Sequence, residues 1–135
     1  MFRAVTKGAL VLGVALALTP GFFAAGPWLE SRIFPVTTAA EVLNEEPDLQ
    51  GVNFEVRFRK LRRCRFLGLA WYVGERRVPV NFEPDAELSP STRPVGGQIA
   101  GPWRLPGVRY LAGTRAWALH QCHPLWITFT KFYEG

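Results

Sequence analysis

The sequence predicts a mainly β protein, in which an N-terminal transmembrane helix is followed by one small β-sandwich. Three observations predict it. Residues 8–29 carry no charged side chain. From Val52 onward, apolar residues recur with period two, as in half-buried strands. Turn signals then break the remaining chain into six or seven short strands, the spacing of a sandwich.

Residues 1–7 form a basic cytoplasmic start with Arg3 and Lys7. At about 1.5 Å per residue, a helix over residues 8–29 reaches roughly 33 Å, enough for a hydrocarbon core of about 30 Å. A cleavable signal peptide competes with an anchor, since Thr19-Pro20-Gly21 looks like the break after a signal core. Cutting after Ala24 or Ala25, however, puts Phe22 or Phe23 where a small residue is needed, and cutting after Gly26 leaves Pro27 next. The reading is therefore an uncleaved signal-anchor, with Pro20 as a kink and Trp28 at the outer interface. The basic start favours a cytoplasmic N-terminus in an inner membrane. Residues beyond about 30 are then periplasmic or extracellular.

Residues 30–50 read as a spacer. Thr38 and Glu41 have capping-box spacing for a brief helix ended by Pro47. Residues 51–135 form the β domain. Phe54, Val56 and Phe58 alternate with Glu55, Arg57 and Arg59, while Lys60 and Arg62 break the phase and predict a bend or bulge near Leu61. The phase moves again at Gly68, to Leu69, Trp71 and Val73. Gly74-Glu75 turns this strand into a partner over residues 77–82, with Pro79 tolerated only at an edge. Residues 84–97, rich in Pro and Gly, form a surface loop or crossover. Short strands are expected over residues 98–105 and 108–111, a better one over 115–122, and a last over 125–133. In that last strand Leu125, Ile127 and Phe129 alternate with Trp126, Thr128 and Thr130.

The net charge of +5 is uneven. Between Trp28 and Gln50 stand five acids and one base, Arg32. Between Arg57 and Arg77 stand eight bases and one acid, Glu75. A basic extracytoplasmic patch suits anionic lipid, polysaccharide or an acidic protein face more than nucleic acid. Its simpler explanation is a set of solvated strand faces.

The two cysteines, Cys64 and Cys122, lie on the exported side, where disulfides persist. They fall on an early and a late strand. A bridge between the sheets with Trp71 packed nearby resembles the immunoglobulin-type arrangement over residues 52–133. Trp71 follows Cys64 sooner than that family places its tryptophan, and His120 stands where its tyrosine is expected. The basic start, single anchor and all-β domain, with stretches such as Arg93-Pro94-Val95-Gly96 and the run from His120 to Trp126, further resemble small single-pass membrane proteins of tailed phages and prophages. That resemblance implies no activity.

His120-Gln121-Cys122-His123 is the sharpest chemical cluster, because imidazole and thiolate bind zinc or copper. A disulfide at Cys122 leaves only His120 and His123 as metal ligands. No Gly-x-Ser-x-Gly elbow or phosphate-cradling loop occurs, and Glu83, Asp85 and Glu87 read as a solvated acidic turn. No enzyme and no cofactor is expected. The leading expectation is a binding module for a protein or envelope partner. Arg57, Arg59, Arg62, Arg63 and Arg65 would form its charged face, with Trp103 or Trp126 as aromatic anchors. The alternatives are a periplasmic metal-binding domain and an accessory scaffold subunit of a larger membrane complex.

Overall fold

The computed structural model describes residues 2–82 and 93–135. The expected loop over 84–97 and the acids Glu83, Asp85 and Glu87 fall wholly or mostly outside these residues. Helix α1 spans Phe2–Ile33 without a break and contains both Pro20 and Pro27. Its apolar stretch is long enough to cross a membrane and lies wholly outside the packed interior.

Eight strands follow. They are β1 (Glu41–Pro47), β2 (Gly51–Lys60), β3 (Arg65–Val73), β4 (Arg76–Val78), β5 (Asn81–Phe82), β6 (Gly96–Pro106), β7 (Thr114–Gln121) and β8 (Thr128–Glu134). They build two four-stranded antiparallel sheets, ordered β1-β2-β6-β5 and β4-β3-β7-β8. In immunoglobulin lettering the first is an A-B-E-D sheet. The second is a C-F-G sheet with one short strand added at its edge.

The core lies between the sheets. Val52, Phe54 and Val56 of β2 face Leu69 and Trp71 of β3, Ala116 and Ala118 of β7, and Phe132 of β8. Trp71 is fully buried on the third strand, stacks on Tyr133 with centroids 5.3 Å apart, and donates its indole N–H to Thr114 Oγ1 at 3.0 Å. The alternation read around Phe54 therefore stands. So does the phase change at Gly68, where β3 bulges against β7 and the backbone takes a φ of 152° that favours glycine.

Four expectations are corrected. The partner strand read over residues 77–82 is two strands: β4 pairs with β3, but the chain then crosses over and β5 pairs with β6 in the other sheet. The 30–50 spacer has no helix of its own: residues 30–33 are the end of α1, and the brief capped helix read after Thr38 does not form. The second half of the spacer is β1, because pairing along the edge of β2 supplies more backbone hydrogen bonds than one capped turn. Residues 108–111 are no strand, and β6 runs unbroken through Gly101-Pro102 instead. In the last strand the alternation is present with the opposite face inward. Thr128, Thr130 and Phe132 are buried, while Leu125 and Ile127 precede the strand and are exposed.

Candidate functional site

The connections that follow β2 and β7, residues 61–64 and 122–127, lie at the same end of the sandwich. Cys64 and Cys122 join them, with a Cα–Cα distance of 4.6 Å. The disulfide is thus made, but it ties two loops at one end and does not cross the middle of the core.

Both loops grip Glu30, on the last turns of α1. Its side chain is only 10% exposed. Oε1 accepts from Arg62 Nη1 at 2.9 Å, and the same Nη1 also donates to the carbonyl of Phe34 at 2.8 Å. Oε2 accepts from Trp126 Nε1 at 2.7 Å, Thr128 Oγ1 at 2.9 Å and His123 Nε2 at 3.0 Å. The amide of Leu125 donates to His123 Nδ1, so Nε2 is the nitrogen that carries the proton toward Glu30. A carboxylate with four donors is the pattern that makes a largely buried charge tolerable.

Trp126 extends this grip down the helix. Its ring meets Phe22 and Phe23 edge-on, with centroids 5.3 and 6.2 Å apart, and His123 at 4.8 Å. The ring lies directly over Gly26. A Cβ there would come within 2.6 Å of the indole, so only glycine lets the ring approach this closely.

Behind the junction, between the sheets, is a cavity of about 30 Å³ lined by Thr37, Phe58, Lys60, Phe66 and His120 among others. That volume takes about one water molecule. His120 is 2% exposed and packs edge-on against Phe66. Among the described residues, its Nδ1 and Thr37 Oγ1 are buried without a partner. Burial, and then the charge of Lys60, lower the His120 pKa from 6.5 to about 4, so the ring is neutral. Lys60 is itself buried. It donates from Nζ to the carbonyl of Arg93 at 2.9 Å, and burial followed by the Arg93 charge lowers its pKa.

The predicted site residues scatter. Arg57 and Arg59 are exposed on the β1-β2-β6-β5 sheet, Arg57 paired with Glu41 at 3.5 Å. Arg62 is committed to Glu30. Arg63 and Arg65 are exposed, in the 61–64 loop and at the start of the other sheet. Trp103 is no surface anchor. It is 7% exposed and packs on Phe54 and Phe82, because β6 turns this position inward. Trp126 is an anchor, but against the chain's own helix. The metal alternative does not assemble either. His120 is inside, His123 turns to Glu30, Cys122 is oxidised, and the described residues contain no group of three His, Cys, Asp or Glu arranged to hold a metal.

Glu30, Lys60 and Thr128 belong to no motif in the sequence. Only Lys60 left a signal there, because it keeps the inward phase of Phe54, Val56 and Phe58.

The outer face of the β4-β3-β7-β8 sheet carries an open depression of about 460 Å³ lined by Ala70, Tyr72, Arg115, Trp117, Leu119 and Phe129. It arises from register. Gly68 and Ala70 on β3 stand opposite the large Leu119 and Trp117 on β7. Tyr72 meets Trp117 edge-on at 5.6 Å, and the Arg115 guanidinium lies over the Trp117 ring at 5.6 Å.

No protein-family model, curated protein or solved structure matches this chain.

Proposed function

We propose that the chain is a single-pass, membrane-anchored β-sandwich that serves as a binding module outside the cytoplasm. Its N-terminus is cytoplasmic in an inner membrane, and it presents the outer face of the β3, β7 and β8 strands to a protein partner. The observation that carries this reading is the open aromatic depression around Trp117. Tyrosine, tryptophan and arginine on an otherwise unused sheet face are the composition of an interface core. The scattered arginines offer no comparable single face, since Arg57 and Arg59 belong to one sheet and Arg65 to the other. The anchor rests on the length and apolarity of α1, and the orientation on Arg3 and Lys7 at its start.

The test is a photo-crosslinking side chain at position 117 of the full chain in its native membrane. A protein adduct that disappears when Tyr72 and Arg115 are also changed to alanine is expected. An adduct formed from position 59 but not from 117 would move the contact to the arginine-bearing sheet and overturn the assignment.

A further inference from the structure

From the way the 122–127 loop lies along α1, we infer that its tip, Leu125-Trp126-Ile127, inserts into the outer leaflet of the bilayer beside the anchor. The inference rests on reading α1 as the anchor. It adds a second, non-helical attachment to the membrane.

Three observations carry it. The first is depth. Trp126 binds Glu30 through its indole nitrogen, yet its ring packs on Gly26, Phe23 and Phe22. From Glu30 back to Phe22 the helix descends about 12 Å at its standard rise. The loop therefore overlaps the last two turns of the uncharged run over residues 8–29, the part that an anchor places in the leaflet facing the domain. The second is chemistry. Leu125 and Ile127 flank the tryptophan, are 54% and 51% exposed, and turn away from the sandwich core. Phe22 and Phe23, against which the Trp126 ring packs, are themselves about half exposed, so the helix and the loop both present apolar side chains around that ring. Leu, Trp and Ile at this level are the side chains that bury at a membrane interface. The third is charge. The disulfide ties the 61–64 loop to the loop that carries the tip; there the exposed Arg63 adjoins Arg62, which binds Glu30, while Arg32, two residues beyond Glu30 on the helix, lies over the Trp28 ring at 4.9 Å. These guanidinium groups belong at the level of lipid phosphates. The occupant of this apolar surface is the lipid itself, because any protein placed there would have to enter the bilayer next to the helix.

The test uses the full chain in lipid nanodiscs, where both membrane faces are open to a membrane-impermeant maleimide. Four single variants are compared: Leu125→Cys, Ile127→Cys, Val14→Cys in mid-helix, and Glu75→Cys at the exposed turn at the far end of the domain. Intact mass confirms that the Cys64–Cys122 bridge is kept, and positions 125 and 127 contribute no core packing that the substitution could remove. Labelling at 125 and 127 should be roughly tenfold or more slower than at 75, as expected for side chains at the interface, with Val14→Cys also protected. Fast labelling at 125 and 127 with Val14→Cys protected overturns the insertion and leaves the anchor standing. Fast labelling of Val14→Cys as well removes the anchor reading and the insertion with it.

Discussion

The indole N–H of Trp126 donates to Glu30 Oε2 at 2.7 Å, joining the last turns of the N-terminal helix to a loop 96 residues away. Because Arg62, His123 and Thr128 converge on the same carboxylate, helix and sandwich meet at a built joint and not at a free tether. Replacing Glu30 by glutamine removes the charge and turns an N–H₂ toward donors. Hydrogen bonds to a charged group are worth about 2 kcal/mol each, so the joint should loosen measurably. The expected outcome is faster amide exchange over residues 34–38 and faster proteolysis just after α1, with the Trp71 core unchanged.

Gly26→Leu tests the same joint from the helix side. A side chain there collides with the Trp126 ring, which is also held by Glu30. Exchange in the 122–127 loop should rise to about the level seen in Trp126→Ala. Equal protection in wild type and Gly26→Leu would mean that the ring does not depend on this approach.

Reducing the disulfide should act on the joint before it acts on the sheets. Arg62 lies two residues before Cys64, and His123 directly follows Cys122, so the bridge aligns both arms that hold Glu30. Closing a loop of this length contributes about 4 kcal/mol in the chain-entropy treatment. A Cys64→Ala, Cys122→Ala variant should lose up to that amount in denaturant unfolding. It should lose exchange protection first in residues 61–64 and 122–127.

Acid should destabilise the domain through His120. Unfolded, the ring titrates near 6.5. Folded, burial and Lys60 depress it to about 4. Below pH 6.5 the unfolded chain therefore takes up a proton that the folded chain refuses. Stability is intact above that pH and falls progressively until about pH 4, by an amount on the order of 3 kcal/mol. The unfolding midpoint measured against pH should drop across this window and flatten in His120→Gln. Lys60→Met removes the neighbouring charge and should raise the histidine pKa seen by NMR.

The legible parts of this fold are those where local pattern and tertiary context agree. Phe54, Val56 and Phe58 alternate and face the core, and Cys64 and Cys122 pair. The misread parts are those where they conflict. Thr38 and Glu41 carry a helix signal, but the neighbouring segment is captured by the edge of β2. Leu125 and Ile127 carry the apolar half of an alternation, yet the sandwich buries Thr128 and Thr130. Trp103 looks like any exposed tryptophan until register turns it inward. Glu30 was illegible for a different reason. Its partners Arg62, His123, Trp126 and Thr128 lie 32 to 98 residues further along the chain, and only the folded topology brings them together.

The joint at Glu30 also bears on the energetics of encounter. A domain on a loose tether tumbles, and a partner must halt that tumbling at an entropic cost. Here the sandwich is fastened to α1, so on the proposed reading of α1 as an anchor its rotation would be confined largely to one axis. The Trp117 face would sweep a fixed height above the lipid, and a partner in the same membrane would need to search only a ring of azimuths to meet it.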